Sequence, residues 1–161
     1  MEDSTSASKQ QVKDEVLQQV EIILADLSHR DSKLSKVSKL LRSTFEAFDW
    51  AGFYYINPDD PTELMLGPYD GDPPDHRLIA IGAGICGQTA EKKETIVVQD
   101  VSKADNYLAC NLEVESEIVV PVLKDGEIVA VFDVDSHQRD AITTLHKEIL
   151  EEISVLISPL F

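Results

Sequence analysis

The stretch Ser116–Ser136, "SEIVVPVLKDGEIVAVFDVDS", limits the fold more than any other. Two β-rich apolar runs flank Lys124-Asp125-Gly126-Glu127. Asp-Gly suits a two-residue turn with positive φ, so the runs are expected to pair as an antiparallel hairpin. An isolated hairpin is marginal in water and needs more strands, or helices packed on an apolar face. The remainder of the chain offers both.

Residues 8–29 carry Val12, Val16, Val20, Ile23 and Leu27 at spacings of three and four, which predicts a helix with one apolar stripe. Asp31 or Ser32 is placed to cap a second helix bearing Leu34, Val37, Leu40, Leu41, Phe45 and Phe48. The period then changes. "WAGFYYI" at 50–56 reads as a strand, "NPDDPTE" as a turn and "LMLGPY" as a second strand. Prolines and Gly71 make residues 70–76 a loop. A strand over 77–81 leads into a Gly-rich turn and a helix from Ile85 to Lys92, and "TIVVQD" is a further strand. Asp140 is expected to cap a closing helix with Ile142, Leu145, Ile149, Ile153 and Leu156 on one face. Helices, strands and helix in this order predict an α+β domain with a mostly antiparallel sheet. The N- and C-terminal helices should cover one face, leaving the loops to build a pocket on the other.

The 161 residues suffice for one domain with a real core, so 1–161 is read as a single unit. Residues 1–10, mostly polar, are expected to be a flexible N-terminus. Neither a bilayer-spanning apolar run nor a basic-then-apolar leader is evident, and a soluble cytoplasmic protein is the expectation. The net charge of −16 falls mainly beyond residue 50, where 21 acids face 7 Lys/Arg. Such a field disfavours nucleic acid and anionic membranes as partners. Two cysteines, four scattered histidines and no CxxC give neither a disulfide scaffold nor a zinc site, and no cofactor or metal is expected.

Three groups of residues carry chemistry. Asp133 and Asp135, one residue apart, share a strand face, where two carboxylates repel unless they share a proton or bind a cation. The plain alternative is a solvated strand end. The hairpin brings Glu117 opposite residues near 134, and Cys110 lies on the loop leading in. Glu113 and Glu115 are expected to be solvated. Trp50 and Tyr54, four apart on the first strand, face one side and are either pocket wall or ordinary core. Cys86 sits in "GAGICGQTA", where free helix N–H groups suit a carboxylate ligand; it could equally be a small buried residue. Aromatic walls, clustered acids, backbone donors and a thiol together suit a zwitterionic amino acid.

"DWAGFYYI", "LMLGPYDG", "IGAGICGQTA", "ACNLEVESEIVVPV" and "VFDVDS" resemble, in order and spacing, the free methionine-R-sulfoxide reductases, enzymes of the GAF fold. The resemblance covers about Ala47 to Ser136, and the flanking helices fit it. It implies reduction of the R epimer of free methionine sulfoxide, followed by recycling through thioredoxin. Cys110 matches the nucleophile. Glu117, Asp133 and Asp135 match the acids that hold the sulfoxide and the substrate amine, with Glu117 or Asp135 as proton donor. Trp50 and Tyr54 match the aromatic wall around the methyl group, and Cys86 matches a second family cysteine. Pairing of two copies through helices is implied too. One departure is plain: where the family usually has a third, resolving cysteine, this chain has His76 in "PPDHRLIAIGAGIC". Either Cys86, the favoured choice, resolves an oxidised Cys110, or a thiol from solution does, or the activity is weak or lost. The alternative function is a non-catalytic GAF domain that binds a small molecule or senses redox state.

Overall fold

In the computed structural model the hairpin consists of β5 (Ser116–Lys124) and β6 (Glu127–Ser136). Asp125 and Gly126 join them with φ of 52° and 79°, the left-handed pair that a two-residue turn requires. The model describes the backbone of residues 2–161 and the side chains from residue 6. β1 (Trp50–Asn57) pairs with β6, β2 (Asp60–Asp70) with β1, and β3 (Leu78–Ala80) with β2. On the other side β4 (Ile96–Val98) pairs with β5. The six strands run β3-β2-β1-β6-β5-β4, each antiparallel to its neighbour. β2 begins earlier than its apolar run suggests. The Asn57 side chain accepts a hydrogen bond from the Asp59 N–H at 3.0 Å, closing a turn tight enough for pairing to start at Asp60.

Helix α1 spans Glu2–Ala25 and α2 Arg30–Thr44. α1 thus starts inside the segment expected to be flexible, because nothing in it breaks a helix. It also stops four residues short of the expected end. Asp26 accepts from the Ser28 N–H at 2.7 Å, a local turn that competes with the next helical bond. Leu27, expected on the apolar stripe, is therefore fully exposed. α2 starts one residue before its expected cap; His29 takes that position without a side-chain bond. α4 spans Thr144–Ile157 and is capped by Thr143 rather than Asp140. The Thr143 hydroxyl accepts from the His146 N–H at 3.1 Å, and the His146 ring accepts from the Thr143 N–H at 3.1 Å. Histidine here fills the reciprocal role usually taken by Glu or Gln.

The strand period of two separates the sheet into an apolar face and a functional face. On one face Ala51, Phe53, Tyr55, Ile118, Val120, Phe132 and Val134 pack against Val16, Val20, Leu34, Val37, Leu41, Ile149 and Ile153 from α1, α2 and α4. Phe53 and Phe132 stack there with ring centres 4.3 Å apart. The opposite face carries Trp50, Tyr54, Val119 and Val131 under α3 (Gly84–Lys92), and opens into a pocket. The helix-on-one-face, pocket-on-the-other arrangement is the one read from the sequence.

Candidate active site

Register builds the centre of this site. Asp135 lies between Trp50 on β1 and Glu117 on β5, and Asp133 lies between Gly52 and Val119. Glu117, Asp133 and Asp135 therefore converge on the pocket face, each less than a tenth exposed. One carboxylate oxygen from each falls within 4.8 Å of the others. Three such oxygens suit a hard cation, or an ammonium as well. One oxygen of Asp133 and one of Asp135 are buried with no hydrogen-bond partner. A satisfied interior does not leave such atoms, and they mark where an outside donor would sit.

Burial is the main force raising the proton affinity of all three carboxyls. The charge of Asp133 and Asp135 adds to this at Glu117, and that of Asp135 adds to it at Asp133. Asp135 is the exception, because hydrogen bonds from Glu117 and Asp133 and the nearby His137 favour its charged form. The push toward the protonated form is thus strong at Glu117 and Asp133 and weaker at Asp135.

The thiols flank this triad. Cys110 lies half-buried on the irregular segment between β4 and β5, with its sulfur 3.8 Å from the Tyr54 hydroxyl. Burial, then the charge of Asp133, pushes its pKa up to about 12, against the opposing hydrogen bond from Tyr54. At neutral pH the unliganded site holds a thiol. Cys86 is buried in the first turn of α3, 3.5 Å from an Asp133 oxygen, and burial raises its pKa also. Both cysteines are free and both line one cavity with Tyr107, Glu117, Asp133 and Asp135.

The adjoining cavity is lined by Trp50, Tyr54, Cys110, Asp133 and Asp135 and holds about 350 Å³ of empty space, including its open side. Trp50 stacks on Tyr54 at 6.3 Å and on Tyr69 at 5.6 Å between ring centres. Gly52 makes this layering fit: a Cβ there would come within 2.6 Å of the Trp50 ring. The indole N–H donates to the Asp72 carbonyl at 2.9 Å, which ties the loop after β2 to the pocket rim. His76 lies in that loop. Its carbonyl accepts from the Tyr54 hydroxyl at 3.1 Å, and its main-chain N–H donates toward the Cys110 sulfur.

Cys86, Cys110, Glu117, Asp133, Asp135, Trp50 and Tyr54 thus line two adjoining cavities. Glu113 is exposed, as expected, but Glu115 is half-buried and paired with Arg139 at 3.2 Å. Tyr69, Tyr107, Val114, Asp49 and His137 also belong to the site or its rim and were not picked out. Tyr69 is opposite Gly52 in the β1–β2 register, so correct pairing of those strands would have found it. Tyr107 is in irregular chain and leaves no periodic signal.

Residues 14–160 match the GAF domain family. The chain is 34% identical to the free methionine-R-sulfoxide reductase of Saccharomyces cerevisiae, over 91% of this chain and 86% of that protein. Among solved structures, the free methionine-R-sulfoxide reductase of Neisseria meningitidis in complex with its substrate superposes with a TM-score of 0.87. It is 32% identical, covering 92% of this chain and 87% of that one. The reduced form of the Staphylococcus aureus enzyme gives 0.80 at 34% identity, covering 94% of each. With a six-stranded antiparallel sheet, a thiol beside three buried carboxyls and these relatives, the chain belongs to the GAF domain family, in its free methionine-R-sulfoxide reductase branch.

Proposed function

We propose that this protein reduces the R epimer of free methionine S-oxide to methionine, with Cys110 as the nucleophile. The observation that carries the reading is Cys110 set beside the buried Glu117–Asp133–Asp135 cluster, under Tyr54 and Trp50. An amino acid brings what this cluster lacks. Its ammonium pairs with Asp133 and Asp135, whose unpartnered oxygens await donors. Its methyl group rests on the Trp50–Tyr54 wall. Once that cation is in place, it offsets the Asp133 charge that adds to burial in holding Cys110 protonated, and the thiolate forms more readily.

The Cys110 sulfur attacks the sulfoxide sulfur while Glu117, which keeps its proton, gives it to the departing oxygen. The new S–S bond joins Cys110 to the substrate as the S–O bond breaks and hydroxide leaves; hydroxide then attacks the Cys110 sulfur, the S–S bond breaks, and its electron pair goes to the substrate sulfur. Methionine leaves and Cys110 remains as a sulfenic acid. The Cys86 thiol then condenses with it, forming an S–S bond and releasing water. A thioredoxin-type dithiol restores both thiols by exchange and is itself oxidised to a disulfide. The cycle suits a reducing compartment such as the cytoplasm. Exposed Ile22 on α1 and Val155 on α4 suit a homodimer through these helices, which light scattering would test.

The direct test mixes the protein with free methionine-R-sulfoxide and measures methionine, with thioredoxin or dithiothreitol as reductant. Turnover with both supports the reading and Cys86 as resolver. Turnover with dithiothreitol alone removes Cys86 from that role. The absence of methionine in both arms favours a second reading, a GAF domain that binds an amino acid or senses redox state. His76, standing where the resolving thiol is expected, is the feature that favours that reading.

A further inference from the structure

The Cys110 segment, residues 104–115, is irregular and forms no ladder with the sheet. It meets α3 at one patch. Asn106 adopts φ of 51°, a left-handed conformation that asparagine tolerates better than most residues. Its amide donates to the Gly82 carbonyl at 2.8 Å, and its side-chain oxygen faces the Gly84 N–H at 3.5 Å. From the other side the Gln88 amide donates to the Asn106 main-chain carbonyl at 3.2 Å and to the Gly84 carbonyl at 2.9 Å. Gly84 also lets the chain lie flat: a Cβ there would fall 2.7 Å from the Leu108 Cβ. Cys86 follows Gly84 by two residues and Cys110 follows Asn106 by four, so this patch joins the two thiol-bearing segments. Beyond it, Cys110 itself is tied by one main-chain bond, from the Asp75 N–H to its carbonyl at 2.9 Å, among the described residues.

We propose that Asn106 is a positioning residue: its side-chain amide latches the Cys110 loop to the turn that opens the Cys86 helix, and so holds the nucleophile beside the carboxyl cluster. The consequence for turnover rests on the reductase reading; the latch itself does not. Asn106→Gly keeps the left-handed backbone and removes the amide. Asn106→Asp keeps an acceptor opposite Gly84 and removes the donor to Gly82. Iodoacetamide labelling of Cys110, read by mass spectrometry against Cys86, measures loop opening without substrate. Single-turnover release of methionine measures what opening does to the chemistry.

In Asn106→Gly, labelling of Cys110 should be about tenfold faster and single turnover about tenfold slower or more. The melting temperature and the substrate concentration for half-maximal rate should stay at wild-type values, with Asn106→Asp between the two proteins. Wild-type labelling kinetics in Asn106→Gly would overturn the latch. Faster labelling with an unchanged single-turnover rate would overturn the positioning role. If the wild-type protein releases no methionine, the reductase reading fails, while the labelling arm still decides the latch.

Discussion

The two faces of the central strands differ in what they do with the same backbone. On the helix side Phe53, Ile118, Phe132 and Val134 are fully buried among apolar neighbours and contribute stability. On the pocket side Asp133 and Asp135, the residues interleaved with them, are nearly as buried yet carry unpartnered oxygens. Burial therefore does not distinguish the faces; satisfaction does. An apolar side chain gains from leaving water, whereas a carboxyl pays for it unless a donor arrives. The pocket face holds a destabilising arrangement that a bound donor would relieve, and the helix face supplies the stability that tolerates it.

The sharpest way to break this contrast is Cys110→Ser. It should abolish release of methionine and leave the chemical denaturation midpoint unchanged, since the half-buried thiol adds little to the core. Phe132→Ala should do the reverse. It should cost about 3–5 kcal/mol of unfolding free energy in a urea titration, while turnover per folded molecule survives near wild type. Asp133→Asn should lower the single-turnover rate by about a hundredfold, in the range assigned to a lost acid–base or positioning contact.

The same variant tests the electrostatics through pH. Asp133 has a folded-state pKa well above its ordinary value, so the folded state keeps a proton that the unfolded chain has lost. Its stabilising effect is present at low pH and is lost as pH rises above the ordinary carboxylate range. The melting temperature of the wild-type protein should fall from pH 5 to pH 9, and Asp133→Asn should flatten that slope. A wild-type slope of opposite sign would refute protonated carboxyls. At the small end, Leu27→Ser should shift stability by no more than about 0.5 kcal/mol, because the side chain touches solvent rather than core.

Much of this division was legible in the sequence. The Asp125-Gly126 turn made the hairpin legible and put Glu117 opposite residues near 134, but a β-bulge between Val122 and Leu123, which leaves no clear mark in the sequence, shifts the register by one and sets Glu117 opposite Asp135. Alternation along β6 separated Phe132 and Val134 from Asp133 and Asp135. Helix ends were read less well because short polar side chains decide them. Asp26 ended α1 through its bond to Ser28, and Thr143 with His146 took the cap expected of Asp140. Tyr107 and the Asn106 contacts escaped because irregular chain has no period, and their partners lie about 20 residues away in sequence. His137 and Asp49 meet only when β1 and β6 are paired, at 2.7 Å between the His137 N–H and an Asp49 oxygen.

The hydrogen bond that His76 takes from Tyr54 and its pull on the Cys110 sulfur both come from its main chain. Those contacts are open to nearly any side chain, so the seat of Cys110 is indifferent to what residue 76 is. Under the proposed cycle, a thiol at that position would change which donor re-reduces the site while leaving the placement of Cys110 alone.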